Sequence, residues 1–358
     1  MAKTLKVGII GVGGIARGAH IPGYKALDNV ALVAGADIDA KARKAAREEC
    51  GIPNVYDTYE EMLEKQPDLD LVSVCTGNRM HKDPTIAALK AGCHVLVEKP
   101  IAMNAQDGQA MVDAARKHKR RLMVGVNCRF DAKSQALKRL IDDGALGEVY
   151  AAKAIATRRR GIPSWGVFSQ KAESGGGPLI DIGVHCLDLA MYLMGYPKPL
   201  AVSGSTYAKF GKNPPEDMID WRWDPRKFSV EDYASAFVRL ENRACLTLEA
   251  SWASNIDHDV FNVEIMGDKG GCTWNPCKMY SSRAGVLINL EPVRMPEVRS
   301  HSEEIRRYVD AILNDKETPA PAEQVLETQR ILDGIYASSE QNREVWLRKP
   351  PAAGRKAK

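Results

Sequence analysis

Leu5-Lys6-Val7-Gly8-Ile9-Ile10-Gly11-Val12-Gly13-Gly14-Ile15-Ala16 decides the fold of this 358-residue chain. Its first half is a short apolar run, as expected of a strand buried on both faces. Its second half fits G-x-G-x-x-A. In that pattern the first glycine permits a tight turn and the second lets backbone N–H groups approach a pyrophosphate. The third small residue lets a helix pack close to the strand. Glycine turns are common, so the pattern alone is weak. Here a strand precedes it and a helix-like segment follows, which Pro22 should kink or end.

A second buried strand, Val30–Ala36, ends at Asp37. An acid at that tip hydrogen-bonds the adenosine ribose and repels a 2′-phosphate. Ile38 stands where an arginine would grip such a phosphate. NAD is therefore expected over NADP, although Lys41, Arg43 and Lys44 follow on a helix that Asp39 should cap. The alternation continues with a helix at Tyr59–Lys65 and a strand at 69–75. The turn Thr76-Gly77-Asn78-Arg79-Met80-His81 lies at the carboxyl end of that strand, where open parallel sheets bind ligands. A helix ending at Gly92, a strand at 94–97 running into Glu98-Lys99-Pro100, another helix and a strand at 122–126 follow. Residues 1–126 thus read as an α/β, doubly wound parallel (Rossmann) domain that binds a dinucleotide.

After Asn127 the pattern changes to longer alternating strands at 148–156, 200–207, 229–240, 244–252 and 260–266. With hairpin turns such as Glu241-Asn242-Arg243, they predict an α+β domain over 127–347, for substrate binding and oligomerisation. It is built on a large, mostly antiparallel open sheet with one covered face. Helices at 133–142, 302–314 and 322–343 accompany it, and 348–358 reads as a disordered basic tail. One stretch interrupts the strands: Gly175-Gly176-Gly177-Pro178-Leu179-Ile180-Asp181-Ile182-Gly183-Val184-His185-Cys186-Leu187-Asp188. On a helix, Asp181 and His185 share one face. A histidine held by a carboxylate can be a general base near neutral pH. Read alone, the stretch fits equally a glycine turn and a core helix, with Asp181 as cap and His185 as a satisfied core residue. Asp188 and His94 read as structural.

Hydrophobic content of 44%, charged content of 27% and a net charge of +4 are ordinary for a globular chain and give no argument for nucleic acid. No apolar run approaches the roughly 18 residues of a membrane span. The amino terminus enters its first strand without a signal-peptide core, so a cytoplasmic protein is expected. The eight cysteines read as reduced thiols, and Cys272 with Cys277 fits no zinc pattern, so no metal is expected.

Glu98-Lys99-Pro100 at a strand end and Asp181-x-x-x-His185 after a glycine-rich turn are each weak signals. Together behind G-x-G-x-x-A, at these intervals, they are specific. The chain resembles the glucose–fructose oxidoreductase / inositol dehydrogenase / rhizopine-catabolism (Gfo/Idh/MocA) family over roughly residues 5 to 347. The resemblance implies that Lys99 is the active-site lysine, that the Lys99–Pro100 bond is often cis, fixing the lysine, and that Asp181 and His185 complete the catalytic set. It implies that Thr76, Asn78, His81 and Glu98 line the nicotinamide half of the cofactor. Gly11, Gly13, Gly14, Ile15, Asp37, Lys99 and Asn127 join them as cofactor-binding residues. Arg129 is implied near the substrate. Gly77, where the family commonly has proline, and Cys128, where arginine is usual, depart from the pattern.

Arg158 and Trp165, in Arg158-Arg159-Arg160-Gly161-Ile162-Pro163-Ser164-Trp165-Gly166, would suit a sugar. An aromatic face covers C–H groups while guanidinium N–H groups bond hydroxyls. The same loop also fits a solvated basic segment. Trp221-Arg222-Trp223-Asp224 is either a substrate rim or a packing element.

The expected activity is hydride transfer between NAD and a secondary hydroxyl, or hemiacetal, of a sugar, polyol or sugar derivative by a homodimer or homotetramer. His185 would take the hydroxyl proton, oriented by Asp181, and Lys99 would stabilise the developing alkoxide; the roles of Lys99 and His185 could be exchanged. The three glycines are expected to let the helix after them approach the nicotinamide. Two other readings remain open. One is a redox-cycling glycosidase or lyase that retains its NAD. The other is a non-catalytic NAD-binding regulator, against which the retention of Lys99, Asp181 and His185 argues.

Overall fold

A computed structural model describes residues 3–218 and 223–348. The chain divides into two compact units, 1–132 with 296–326, and 133–295 with 327–358. The first carries six parallel strands: β1 (Leu5–Ile10), β2 (Val30–Ala36), β3 (Asn54–Tyr56), β4 (Leu71–Val74), β5 (His94–Glu98) and β6 (Leu122–Gly125). Their order is β3-β2-β1-β4-β5-β6. It reverses between β1 and β4, and such a reversal opens a crevice at the strands' carboxyl ends. β4 is buried at every position and β1 at all but Lys6, as strands covered on both faces must be.

After β1 a π-helical turn, Ala16–His20, runs into α1 (Ile21–Lys25). Pro22 sits in the first turn of α1, directly after the π turn. The π turn ends at His20, just before it, in keeping with the kink or end the sequence suggested. α2 (Ala40–Glu48), α3 (Tyr59–Lys65), α4 (Lys82–Lys90) and α5 (Ala105–Lys117) complete the alternation. Asp39, Thr58 and Asn104 cap three of them through their side chains.

The second unit begins with α6 (Ala132–Asp142). Its strands are β7 (Val149–Thr157), β8 (Pro199–Tyr207), β9 (Tyr233–Leu240), β10 (Cys245–Ser251), β11 (Val260–Gly267), β12 (Gly270–Thr273), β13 (Lys278–Arg283) and β14 (Val286–Leu290). Between β7 and β8 lie the short α7 (Lys171–Ser174), a π-helical turn at Leu179–Gly183, and α8 (Val184–Leu193). The chain then returns to the first unit through α9 (Ser300–Leu313) and finishes with α10 (Ala322–Gln341) and β15 (Val345–Trp346). The sheet order is β14-β13-β12-β11-β7-β10-β9-β8-β15, with β7 and β10 parallel and the other pairs antiparallel. The covered face is rich in alanine: Ala152, Ala154, Ala156, Ala234, Ala236 and Ala250 are buried. These small residues let the π turn and α8 lie close on β7 and β10.

The compact units divide the chain differently from the expected domains 1–126 and 127–347. Residues 296–326 belong to the first unit. Ile305, Tyr308 and Val309 of α9 enter its core, and the Tyr308 hydroxyl meets the carbonyls of Val95 and Arg121 at 2.9 Å each. An amphipathic pattern reports that a helix buries a face, without saying on which core. The short strands β12 to β15 were not legible in the sequence. Trp221, Arg222 and nearly all of the basic tail lie outside the described residues. Trp223 is buried and its Nε1 donates to the Gly211 carbonyl at 2.8 Å, so it is a packing element.

Candidate active site

In the first unit, Gly11 has φ +84°, and a Cβ there would stand 2.8 Å from the Cys75–Thr76 peptide. Its N–H donates to the Ala36 carbonyl at 2.8 Å. The glycine turn is thereby pinned between the tips of β2 and β4. Asp37 secures it from the other side. Its Oδ2 accepts from Val12 N and its Oδ1 from Asp39 N, each at 2.9 Å. Arg43 is already engaged: its Nη1 bonds the carbonyls of Asp37 and Ile38, and its Nε pairs with Asp57 at 2.9 Å. A cleft of roughly 520 Å³ opens here, lined among others by Gly11, Gly13, Asp37, Ile38, Tyr59, Thr76 and Met80.

Thr76 donates its hydroxyl to the Met80 carbonyl at 2.8 Å, which closes the turn carrying Asn78. His81 does not face that cleft. It is fully buried, with Nδ1 2.8 Å from the Pro100 carbonyl and Nε2 3.1 Å from the Thr76 carbonyl. It ties the turn after β4 to the turn after β5. Burial lowers its pKa.

Lys99 lies half-buried at the end of β5 and precedes a cis bond to Pro100. Glu98, the last residue of β5, precedes Lys99. It is 7% exposed. Its Oε2 accepts from Lys99 N at 3.2 Å, and its Oε1 takes His20 Nε2 at 2.8 Å. His20 Nδ1 meets Ser73 Oγ at 3.2 Å, and Ser73 Oγ meets the Tyr24 hydroxyl at 2.7 Å. Burial alone would raise the Glu98 pKa, but the bond and charge of His20, with Lys99 and His301 nearby, bring it down to about 2. Burial also opposes the charged His20, yet Cys75 and Glu98 beside it hold its pKa well above the ordinary value. His20, Tyr24 and Ser73 carried no chemical signal in the sequence. A histidine at the end of the first helical turn was the one available hint.

Asn127 donates to Ser300 Oγ at 3.0 Å. Arg129 is 1% exposed and bonds Gln324 Oε1 at 2.8 Å. The Arg129 guanidinium is thus enclosed. Ile15 is exposed beside the glycine turn.

In the second unit, Asp181 and His185 fall on the continuous run formed by the π turn and α8. Both are half-buried. Asp181 N donates to Gly177 O at 3.0 Å, and Asp181 Oδ2 accepts from Trp252 Nε1 at 3.1 Å. The His185 ring lies 6.4 Å from Phe261, which packs edge-on to Trp274. On the Trp252 side, Phe168 and then Trp165 continue an edge-to-face ladder. Trp165 is 67% exposed. Arg158 bends back to the Gly161 carbonyl at 3.2 Å, and Arg160 pairs with Asp217 at 2.8 Å.

The glycines before Asp181 also have a local reason. Gly175 has φ +85° after α7, and a Cβ on Gly177 would lie 2.0 Å from the Glu231 carbonyl oxygen. They admit neighbours of their own unit, where the sequence suggested room for a nicotinamide. Buried Glu231 accepts from Gly177 N at 3.0 Å, Leu179 N at 3.1 Å and the Tyr336 hydroxyl at 3.0 Å. Burial raises its pKa above the ordinary carboxylate value while those bonds pull it down. Asp188 is buried and bonded by the hydroxyls of Tyr196 and Thr328. Among the described residues no cluster of three or more His, Cys, Asp or Glu could hold a metal, and no helix is long and apolar enough to cross a membrane.

The sheet order, the glycine turn and the acid at the tip of β2 define a dinucleotide-binding oxidoreductase. The family described as "Oxidoreductase family, NAD-binding Rossmann fold" matches residues 5–126, and the "GFO/IDH/MocA C-terminal domain" matches 134–273. The chain belongs to the Gfo/Idh/MocA family of NAD-binding oxidoreductases. It is 36% identical to the D-glucoside 3-dehydrogenase of Escherichia coli over 97% of this chain and 98% of that one. Among solved structures it is similar to the aldose-aldose oxidoreductase of Caulobacter crescentus in complex with glycerol. That pair has a TM-score of 0.80 at 27% identity, covering 96% of this chain and all of the other. A levoglucosan dehydrogenase in complex with NADH and levoglucosan shares the fold, with a TM-score of 0.83 at 21% identity over 96% of this chain and all of that one.

The first unit's cleft fits NAD. At Gly13 and Gly14 an added Cβ would meet no atom within 4 Å, so the backbone there is open to a pyrophosphate at the start of a helical run. Asp37 is held half-exposed at the cleft for a ribose, and Arg43 is tied to carbonyls and Asp57.

Proposed function

We propose that this chain is an NAD-dependent dehydrogenase of a pyranose sugar, acting on a secondary ring hydroxyl, with the 3-hydroxyl of a D-glucoside as the favoured substrate group. The observation that carries this is the 36% identity, across 97% of the chain, to a D-glucoside 3-dehydrogenase. In this reading Gly11, Gly13, Gly14, Ile15 and Asp37 hold the adenosine and pyrophosphate half of the cofactor, and Thr76, Asn78 and Lys99 serve the nicotinamide half.

Bound NAD supplies the hydride acceptor. His185 takes the proton of the hydroxyl being oxidised. Asp181, fixed by the Trp252 indole N–H, lies on the same helical run as His185 and orients it. Lys99 donates a hydrogen bond to the developing alkoxide, from a backbone position set by Glu98. Trp165 offers an exposed aromatic face to sugar C–H groups.

We also assign the enzyme to a reducing compartment, the cytoplasm, a reading supported by eight cysteines held as thiols, not disulfides. A homodimer or homotetramer would form through the outer face of the nine-stranded sheet. A shallow depression of roughly 550 Å³ lies there, along Lys153, Ile155, Ser235, Phe237, Thr247 and Glu249.

The test is a panel of D-glucosides, free aldoses and inositols incubated with NAD or NADP, with reduced-nicotinamide absorbance and product structure followed together. The expected result is NADH appearing in step with a keto-glucoside. Glycoside cleavage with no net NADH would replace this reading with the retained-cofactor route, and inertness across the panel would remove the sugar assignment.

A further inference from the structure

Glu231 and Asp232 sit next to each other just before β9 and are 6% and 0% exposed. Two buried acids in sequence are costly unless bonded. Their bonds share a destination. Glu231 clamps the Gly177 and Leu179 N–H groups with both carboxylate oxygens engaged, and the Tyr336 hydroxyl completes the clamp at 3.0 Å. The carbonyl of Gly177 in turn receives the N–H of Ile180 at 3.1 Å and of Asp181 at 3.0 Å. One bonded step therefore separates the Glu231 carboxylate from the backbone of Asp181.

The second arm starts one residue later. The carbonyl of Asp232 receives Trp252 N at 3.0 Å, and Trp252 Nε1 donates to Asp181 Oδ2 at 3.1 Å. Asp232 is itself anchored: its N–H bonds the Tyr207 carbonyl at 2.8 Å, and its Oδ2 takes Phe210 N at 2.6 Å and Gly211 N at 2.9 Å. A single dipeptide thus reaches Asp181 from both sides, its backbone through Gly177 and its carboxylate through Trp252. A core that needed only filling would have used apolar side chains here at lower cost.

We propose that Glu231–Asp232, with Tyr336, is a positioning unit for Asp181: Glu231 sets the height of the Asp181 backbone and Asp232 sets the indole that aims its carboxylate. The proposal rests on the catalytic role of Asp181 stated above. Neither acid touches the reacting atoms, so both act only through Asp181. A carboxylate displaced by about 1 Å loses on the order of a hundredfold in rate.

The test is a double-mutant cycle on purified enzyme. Kinetics at saturating NAD and sugar, NAD affinity by fluorescence, and melting temperature are measured for Asp181→Asn, Glu231→Gln, Tyr336→Phe and the two doubles with Asp181→Asn. The single Glu231→Gln should lose turnover by at least tenfold and Tyr336→Phe by a smaller factor, with NAD affinity unchanged. In the Asp181→Asn background both losses should vanish to within about twofold, because the group they position is already gone. Multiplying losses would make Glu231 a general support of the fold and overturn the proposal, as would wild-type turnover in Tyr336→Phe. If Glu231→Gln does not fold, the Tyr336→Phe cycle decides alone. Full activity in Asp181→Asn itself would overturn the catalytic reading of that residue instead, which is a separate result.

Discussion

Asp37 shows how much one side chain can carry. Its carboxylate holds Val12 N and Asp39 N and leaves an anionic edge at the cleft. Asp37→Ala should weaken both cofactors, since the glycine turn loosens, but NAD by a larger factor than NADP, because the lost charge also repelled a 2′-phosphate. Equal losses in titrations with the two cofactors would count against the ribose role. His185→Ala should lower turnover at least a hundredfold, since general-base assistance is worth about 10²–10⁴, while NAD binding stays intact. Near-normal turnover would remove His185 from the mechanism. The buried pair of His20 and Glu98 gives a third expectation. The pKa of His20 is raised, so its contribution to stability is fully present below its unfolded value near 6.5 and is lost as pH rises through the folded value. The pKa of Glu98 is depressed to about 2, so its contribution is present above about 4.5 and lost as pH falls towards 2. Cys75, Tyr24, Glu304 and His301 surround the pair and are common to wild type and variant. Urea unfolding of wild type and His20→Gln should therefore differ most between about pH 4.5 and 6.5, by about 3–5 kcal/mol for a broken buried pair. The gap should narrow on the alkaline side; a gap that widens with rising pH would contradict the charged pair.

At the scale of elements, the π turn leading into α8 matters most. The sequence placed Asp181 and His185 on one helical face. It could not show that the turn carrying Asp181 takes in an extra residue, a feature often found at functional sites. Gly183 lies at the junction, and a Cβ there would stand 2.9 Å from the Ala250 Cβ on β10. Gly183→Ala should lift the start of α8 from the sheet. The expected cost is about 1–3 kcal/mol of stability, with a loss of turnover exceeding any change in NAD affinity. Unchanged melting and turnover would mean the sheet yields at no cost. The parallel strands, the cap at Asp39 and the stop at Gly92 were legible because each is written in local chemistry: apolar runs, an acid before a helix, a glycine at φ +93°.

For the whole molecule, the outer face of the nine-stranded sheet supports the oligomer proposal. Lys153, Thr247 and Glu249 are exposed on it, while Ile155 and Phe237 are half-buried. Phe237→Asp should shift the enzyme towards monomer in sedimentation, and an unchanged mass would move the interface elsewhere. By itself the sequence determined the two architectures and the NAD fingerprint, and pointed to the trio Lys99, Asp181 and His185 as candidates, because strand period, glycine turns and motif spacing are local properties. Only the tertiary structure decided which side chains are enclosed. Arg129, His81 and Glu98 matched a motif yet lie buried against Gln324, two carbonyls and His20, while Glu231, Asp232 and Tyr336 matched none yet brace Asp181. The same holds for α9, whose apolar stripe fitted either core until Ile305 and Tyr308 entered the first. Burial depends on partners far away in the chain, so spacing within one segment cannot reveal it.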